Sequence, residues 1–244
     1  LRVTATSSNT SLVPNPVVTY TSAQATGSLA FTPVADQFGT TTITVTVEDG
    51  GFDNSLATAD DNASFNRTFN VIINKVNDLP TLDAIADLSI AEDAGLQTVN
   101  LTGITAGVGE SQLLRITASS DQTGLLPNPV ITYTSEESTG TIRFTPAADQ
   151  SGTAEITVTV IDAGLDGIAG NADDASLSRS FHVTVTPVND LPTLDTIPDP
   201  AAILEDVGLQ TVNLAGITAG IGESQPLRVT ATSSNTSLVP NPVV

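Results

Sequence analysis

Acidic side chains in this chain fall in clusters that repeat at nearly fixed spacing. One set comprises Glu92 and Asp93, Asp149, Asn189 and Asp190; a second fills a Gly-rich stretch with Asp162, Asp166, Asp173 and Asp174; earlier copies of the pattern supply Asp36, Asn77 and Asp78. Carboxylates, Asn oxygens and loop carbonyls are hard donors, and Ca2+ takes about six to eight of them at about 2.3–2.6 Å. Few other chemistries are open. There is no Cys and a single His, His182, so thiolate zinc sites, Ser-His-Asp triads and imidazole acid–base catalysis are unavailable. Paired carboxylates alone can hydrolyse glycosides, but no Trp is present to stack a sugar ring. No phosphate-binding Gly motif or basic stripe occurs. The residues predict a chain that is not an enzyme and that takes Ca2+ as its cofactor.

Those acids need elements to position them, and an internal repeat defines the elements. Residues 1–18, LRVTATSSNTSLVPNPVV, recur unchanged as 227–244, and a diverged copy, LRITASSDQTGLLPNPVI, begins at Leu114. The copies opening at Leu1, Leu114 and Leu227 are spaced by 113 residues, and the same spacing relates Phe31 to Phe144, Asp36 to Asp149 and Asp49 to Asp162. VNDLP recurs at 76–80 and 188–192, one residue short of that period, an indel that belongs in a loop. Within one repeat, apolar residues alternate with Thr, Ser and charges, as in half-buried strands. The pattern predicts strands at 88–91, 96–104, 114–119, 130–135, 139–145, 154–161 and 177–185. The fold class expected is all-β, as tandem seven-stranded Greek-key β-sandwich repeats. Boundaries follow: a partial repeat over 1–78 holding the third to seventh strands, a complete repeat over 79–190, and a partial repeat over 191–244 holding the first three or four strands. Incomplete terminal repeats leave core faces uncovered, so the chain reads as a window on a longer array.

Successive antiparallel strands reverse direction, which sorts the loops by end. The turns after the first and fifth strands, carrying Glu92, Asp93 and Asp149, lie beside the outgoing linker with Asn189 and Asp190. The loop after the sixth strand, with Asp162, Asp166, Asp173 and Asp174, lies beside the preceding linker, where Asp36, Asn77 and Asp78 converge on it. Every acidic cluster therefore faces an inter-repeat junction. The bland alternative is that Asp and Asn sit there because they tolerate tight turns, with Arg115 and Arg179 neutralising part of the loop. That loop, DAGLDGIAGNADD, lacks the closing Glu and flanking helices of an EF-hand, so binding in concert with the linker is the expectation.

The run RFTPAADQSGTAEITVTVIDAG followed by VNDLP resembles the cadherin-like and immunoglobulin-like tandem repeats of large bacterial surface and secreted proteins, and the likeness covers both visible repeats. It implies an extracellular, cell-surface β-sandwich stalk, stiffened by calcium, in an adhesin or surface fibre. This chain departs from the cadherin linker pattern D-x-N-D, whose leading Asp is Lys75 in one linker and Pro187 in the other. Fewer or weaker ions follow from that departure.

Net charge bounds the partners. Seven Lys and Arg against 27 Asp and Glu give −20, which excludes nucleic acid and anionic membrane surfaces on electrostatic grounds, and no apolar run approaches the roughly 20 residues of a membrane span. The partners expected are neighbouring repeats of the same chain and identical chains in a fibre. Threonine-rich faces such as Thr42, Thr44 and Thr46 are weakly charged, and edge strands pair between chains unless blocked; a donated strand or simple continuation of the chain would each complete the terminal repeats. The alternative function is a glycan- or protein-binding module, which predicts exposed aromatics or one repeat with distinctive loops. Tyr20 and Tyr133, in phase with Val18 and Ile131, read as core, and His182 as an exposed strand residue.

Overall fold

Val, Ile and Thr at alternate positions suit a pleated, half-buried surface, and the computed structural model, which describes residues 1–22, 24–58 and 60–244, contains strands and no helices among them. In chain order these are β1 Arg2–Ser7, β2 Val17–Thr19, β3 Ser28–Ala30, β4 Gly39–Glu48, β5 Ser64–Ile73, β6 Leu88–Ala91, β7 Gln97–Leu101, β8 Leu114–Ser120, β9 Val130–Thr132, β10 Gly140–Phe144, β11 Gly152–Asp162 and β12 Ser176–Thr186. All seven strands expected between 79 and 190 form, with ends shifted by a few residues. The alternation is clearest in β11, where Ala154, Ile156, Val158 and Val160 are buried between half-buried or exposed neighbours.

The chain divides into two compact units. One comprises Leu1–Thr81, Thr105–Leu114 and Ile161–Ser176, and the other Leu82–Ile104, Arg115–Val160 and Leu177–Val244. In the first, β1, β4 and β5 form an antiparallel sheet and β2 pairs with β3. Ala5, Leu12, Val13 and Ile43 make its small core, with Val18, Val45, Val71 and Ile73 packed against it. In the second, β6-β12-β11-β8 forms one sheet, with β6 parallel to β12, and β7-β10-β9 another. Leu101, Ile142, Ile156, Val158, Phe181, Val183 and Val185 are fully buried there. Two sheets around such a core are consistent with a β-sandwich.

Three local expectations are corrected. Residues 191–244 form no strand, only an isolated bridge between Thr193 and Thr218, because strand formation depends on pairing with a neighbouring edge and not on the local pattern alone. Tyr20 and Tyr133 are half-buried rather than core; their hydroxyls donate to the carbonyls of Gln24 and Glu137, each at 3.1 Å, which ties the ring to the turn. Arg179 forms no ion pair among the described residues, and its Nε donates to the Leu82 carbonyl at 3.2 Å. His182 is exposed, and its backbone N–H donates to the Asp87 carboxylate at 2.7 Å.

Candidate functional site

The linker asparagine organises the junction in the first unit. The Asn77 amide donates to both Asp162 carboxylate oxygens at 3.2 and 3.3 Å and to the Asp173 carbonyl at 3.0 Å. Its own oxygen accepts from Gln112 Nε2, which also donates to Glu110 Oε2 at 2.8 Å. Glu110 Oε2 in turn accepts the Asp78 N–H at 3.2 Å. The Glu110 side chain is fully buried, its Oε1 has no hydrogen-bond partner, and the Lys75 ammonium stands 3.5 Å from it. Linker and loops are thus joined through alternating donors and acceptors.

Within the loop the acids bind the loop itself. Asp162, 1% exposed, accepts from Gly164 N and Ala175 N at 3.0 and 2.8 Å. Asp166 accepts from Ile168 N and the Asn171 amide, and Asp173 from Leu165 N. Asp174 accepts from Gly170 N through Oδ2, while its Oδ1 is buried and unpartnered. N–H donors hold many of these lone pairs, and of the buried carboxylate oxygens here Glu110 Oε1 and Asp174 Oδ1 have no hydrogen-bond partner. Asp36 sits in the left-handed region at φ 57 and lines a cavity of about 290 Å³ with Phe38, Lys75, Asp78 and Val108.

The second unit repeats the arrangement. Gln225 Nε2 donates to Asn189 Oδ1 at 3.0 Å and to Glu223 Oε2 at 2.7 Å, and Glu223 Oε1 accepts the Asp190 N–H at 3.1 Å. Buried Glu92 accepts the Val188 N–H at 2.7 Å, tying the turn after β6 to the linker. Asp149 again adopts the left-handed conformation, φ 56, and its carbonyl approaches Gly222. Asp190 Oδ2 is buried without a partner. Burial first, then the charges of Asp149, Asp93, Glu223 and Glu92, push the Asp190 carboxyl above the usual carboxylate range. Pro187 stands where Lys75 stands in the first unit, and no ion pair among the described residues reaches this cluster.

Glycine is required at both copies. At Gly107, φ 128, an added Cβ would lie 2.8 Å from Asp78 Cβ; at Gly220, φ 137, it would lie 2.6 Å from Asp190 Cβ and from Glu223 Oε2. Sequence reasoning missed Glu110, Gln112, Glu223 and Gln225. The signal was present: Glu-Ser-Gln follows a Gly-x-Gly at 110–112 and at 223–225, 113 residues apart, in the loop between the strands predicted at 96–104 and 114–119 and in its copy.

A divalent cation is chemically suited to the second junction. An unpartnered carboxylate oxygen on Asp190, whose carboxyl burial and neighbouring acids push upward, describes a donor set short of positive charge. Among the described residues, however, no three acidic side chains already form a closed ligand group.

No protein-family model and no curated protein matches the chain. Among solved structures, domains 4 and 5 of the S-layer protein SbsC are 16% identical with a TM-score of 0.31, the match covering 75% of this chain and 77% of that one. SbsC domains 1–6 give 16% identity and a TM-score of 0.30, over 89% of this chain and 24% of that one. Zebrafish RET cadherin-like domains 1 to 4 give 14% and 0.25, over 76% and 46%.

Proposed function

We propose that this chain is a structural segment of an extracellular surface stalk or fibre, built of seven-stranded Greek-key repeats over 1–78, 79–190 and 191–244 and stiffened by calcium where repeats meet. The observation that carries the reading is the recurrence of one network, Asn–Gln–Glu with the following Asp N–H, in both units. A spacer needs the same joint again and again, whereas a catalyst or a receptor needs one place unlike the others. No such place appears among the described residues. At the second junction Glu92, Asp93, Asp149, Asp190 and Glu223 would hold the ion, with Asn189 beside them; in the first, Asp36, Asn77, Asp78, Asp162, Asp166, Asp173 and Asp174 stand with Glu110. The ion supplies the positive charge those acids lack and ties the linker to the loops on either side of it.

Calorimetric titration of the full chain with CaCl2 tests this. Saturable binding is expected, weakened at least ten-fold by Asp190→Asn or Glu223→Gln. Absence of any binding heat at several temperatures, or full retention of affinity in both variants, would remove calcium from the function.

A further inference from the structure

The two copies of the junction differ at the residue before Val-Asn-Asp, which is Lys75 in one linker and Pro187 in the other. A second position changes with it: the turn that carries Asp36 continues to Phe38, and the turn that carries Asp149 continues to Ser151. In the first unit these two positions meet. Lys75 Nζ stands over the Phe38 ring, 5.6 Å from its centre, and 3.5 Å from Glu110 Oε1. Glu110 is held in place by its other oxygen, which accepts from the Asp78 N–H and the Gln112 amide. Its side chain is fully buried and its Oε1 has no hydrogen bond, so the ammonium supplies the positive charge that this oxygen faces.

An aromatic face beside a carboxylate suits an organic ammonium. A ring offers no oxygen to a metal ion, whereas the hydroxyl of Ser151 belongs to the hard donors that calcium takes. In the second unit Glu223 accepts the Asp190 N–H and the Gln225 amide as Glu110 accepts their counterparts, but Pro187 brings no charge and Asp190 Oδ2 is buried without a partner. The same network is thus built once around a side-chain cation and once without one. Every residue in this comparison has its counterpart in the other copy.

We propose that Lys75 is the built-in cation of the first junction, its ammonium taking a position that calcium takes in the second. The inference rests on the reading of the second junction as a calcium site. A tethered ammonium is present at a fixed local concentration whatever the ion content of the medium, so a Lys-type joint keeps its linker and loop tied when calcium is scarce and a Pro-type joint does not. The residue before Val-Asn-Asp, with the residue two places after the turn aspartate, sets the calcium requirement of each joint. An array that mixes the two types loosens at its Pro-type joints first as calcium falls.

Calorimetry of the full chain and of Lys75→Gln, which removes the charge and keeps the stem, tests this in calcium and in excess chelator. In chelator Lys75→Gln is expected to melt several degrees below wild type, because the buried Glu110 carboxylate loses its partner, and adding Glu110→Gln is expected to recover most of that loss. In titration with CaCl2, Lys75→Gln is expected to take up about one more ion per chain than wild type. A Lys75→Gln chain that melts like wild type in chelator overturns the proposal. So does one that takes up no additional calcium while wild type binds the ion and loses it in Asp190→Asn. If wild type and Lys75→Gln both take up none, the calcium reading of the second junction falls together with this one, and the silence of wild type tells the two failures apart. Should Lys75→Gln lose its circular dichroism, the reverse exchange, Ser151→Phe with Pro187→Lys, decides instead. It must both melt higher than wild type in chelator and bind less calcium, and failing either overturns the proposal.

Discussion

Asp49 and Asp162 hold the same place in two copies of one loop, and each folds that loop around its carboxylate. Asp49 Oδ1 accepts from Ala63 N at 2.9 Å and Gly51 N at 3.1 Å. Those bonds, Ala63 first, hold its carboxyl below the ordinary Asp value of 3.8, and Asp53 is lowered by Thr58 and then Ser55. A carboxyl lowered by folding stabilises the loop above the unfolded value and loses that contribution as pH falls through the folded one. Asp49→Ala at neutral pH should therefore speed amide exchange at Gly51 and Ala63 several-fold, and the wild-type loop should loosen only below pH 3.8. Asp-x-Gly spacing made these turn roles legible in the sequence. The Glu-Ser-Gln repeat marked Glu110, but its burial was not legible, because the groups that face it, the Asp78 N–H and the Lys75 ammonium, come from the distant linker.

β12 and β5 are repeat equivalents that place a Phe at the same position in two environments. Phe181 is 2% exposed and Phe69 40%, so Phe181→Ala should cost about 3–5 kcal/mol, the usual penalty for emptying a buried aromatic site, and Phe69→Ala distinctly less. Urea midpoints of the two variants, followed by circular dichroism, check the difference; equal losses would mean that the first unit buries Phe69 in solution. All seven strands between 79 and 190 were legible because period-2 alternation is local, and β11 could be read from Ile156, Val158 and Val160 alone. The fate of 191–244 was not. QTVNL forms β7 at 97–101 and no strand at 210–214, since ladder hydrogen bonds come from a distant edge that identical local sequence cannot report.

Across the whole molecule, 27 acids against seven bases make self-repulsion a standing cost, greatest where Glu92, Asp93, Asp149, Asp190 and Glu223 gather. The two junctions meet it differently. Lys75 lies 3.5 Å from buried Glu110 in the first, while Pro187 leaves the second without an equivalent cation. Glu223→Gln should therefore stabilise the chain in chelator, by removing one of the crowded charges, and remove much of its response to calcium. The most direct measurement is calorimetric melting of the full chain in millimolar calcium and again in excess chelator. Ion-tied junctions predict a large calcium-dependent rise in melting temperature, much reduced in Glu223→Gln. Identical melts in both solutions would contradict the account and leave the acids as solvated turn residues.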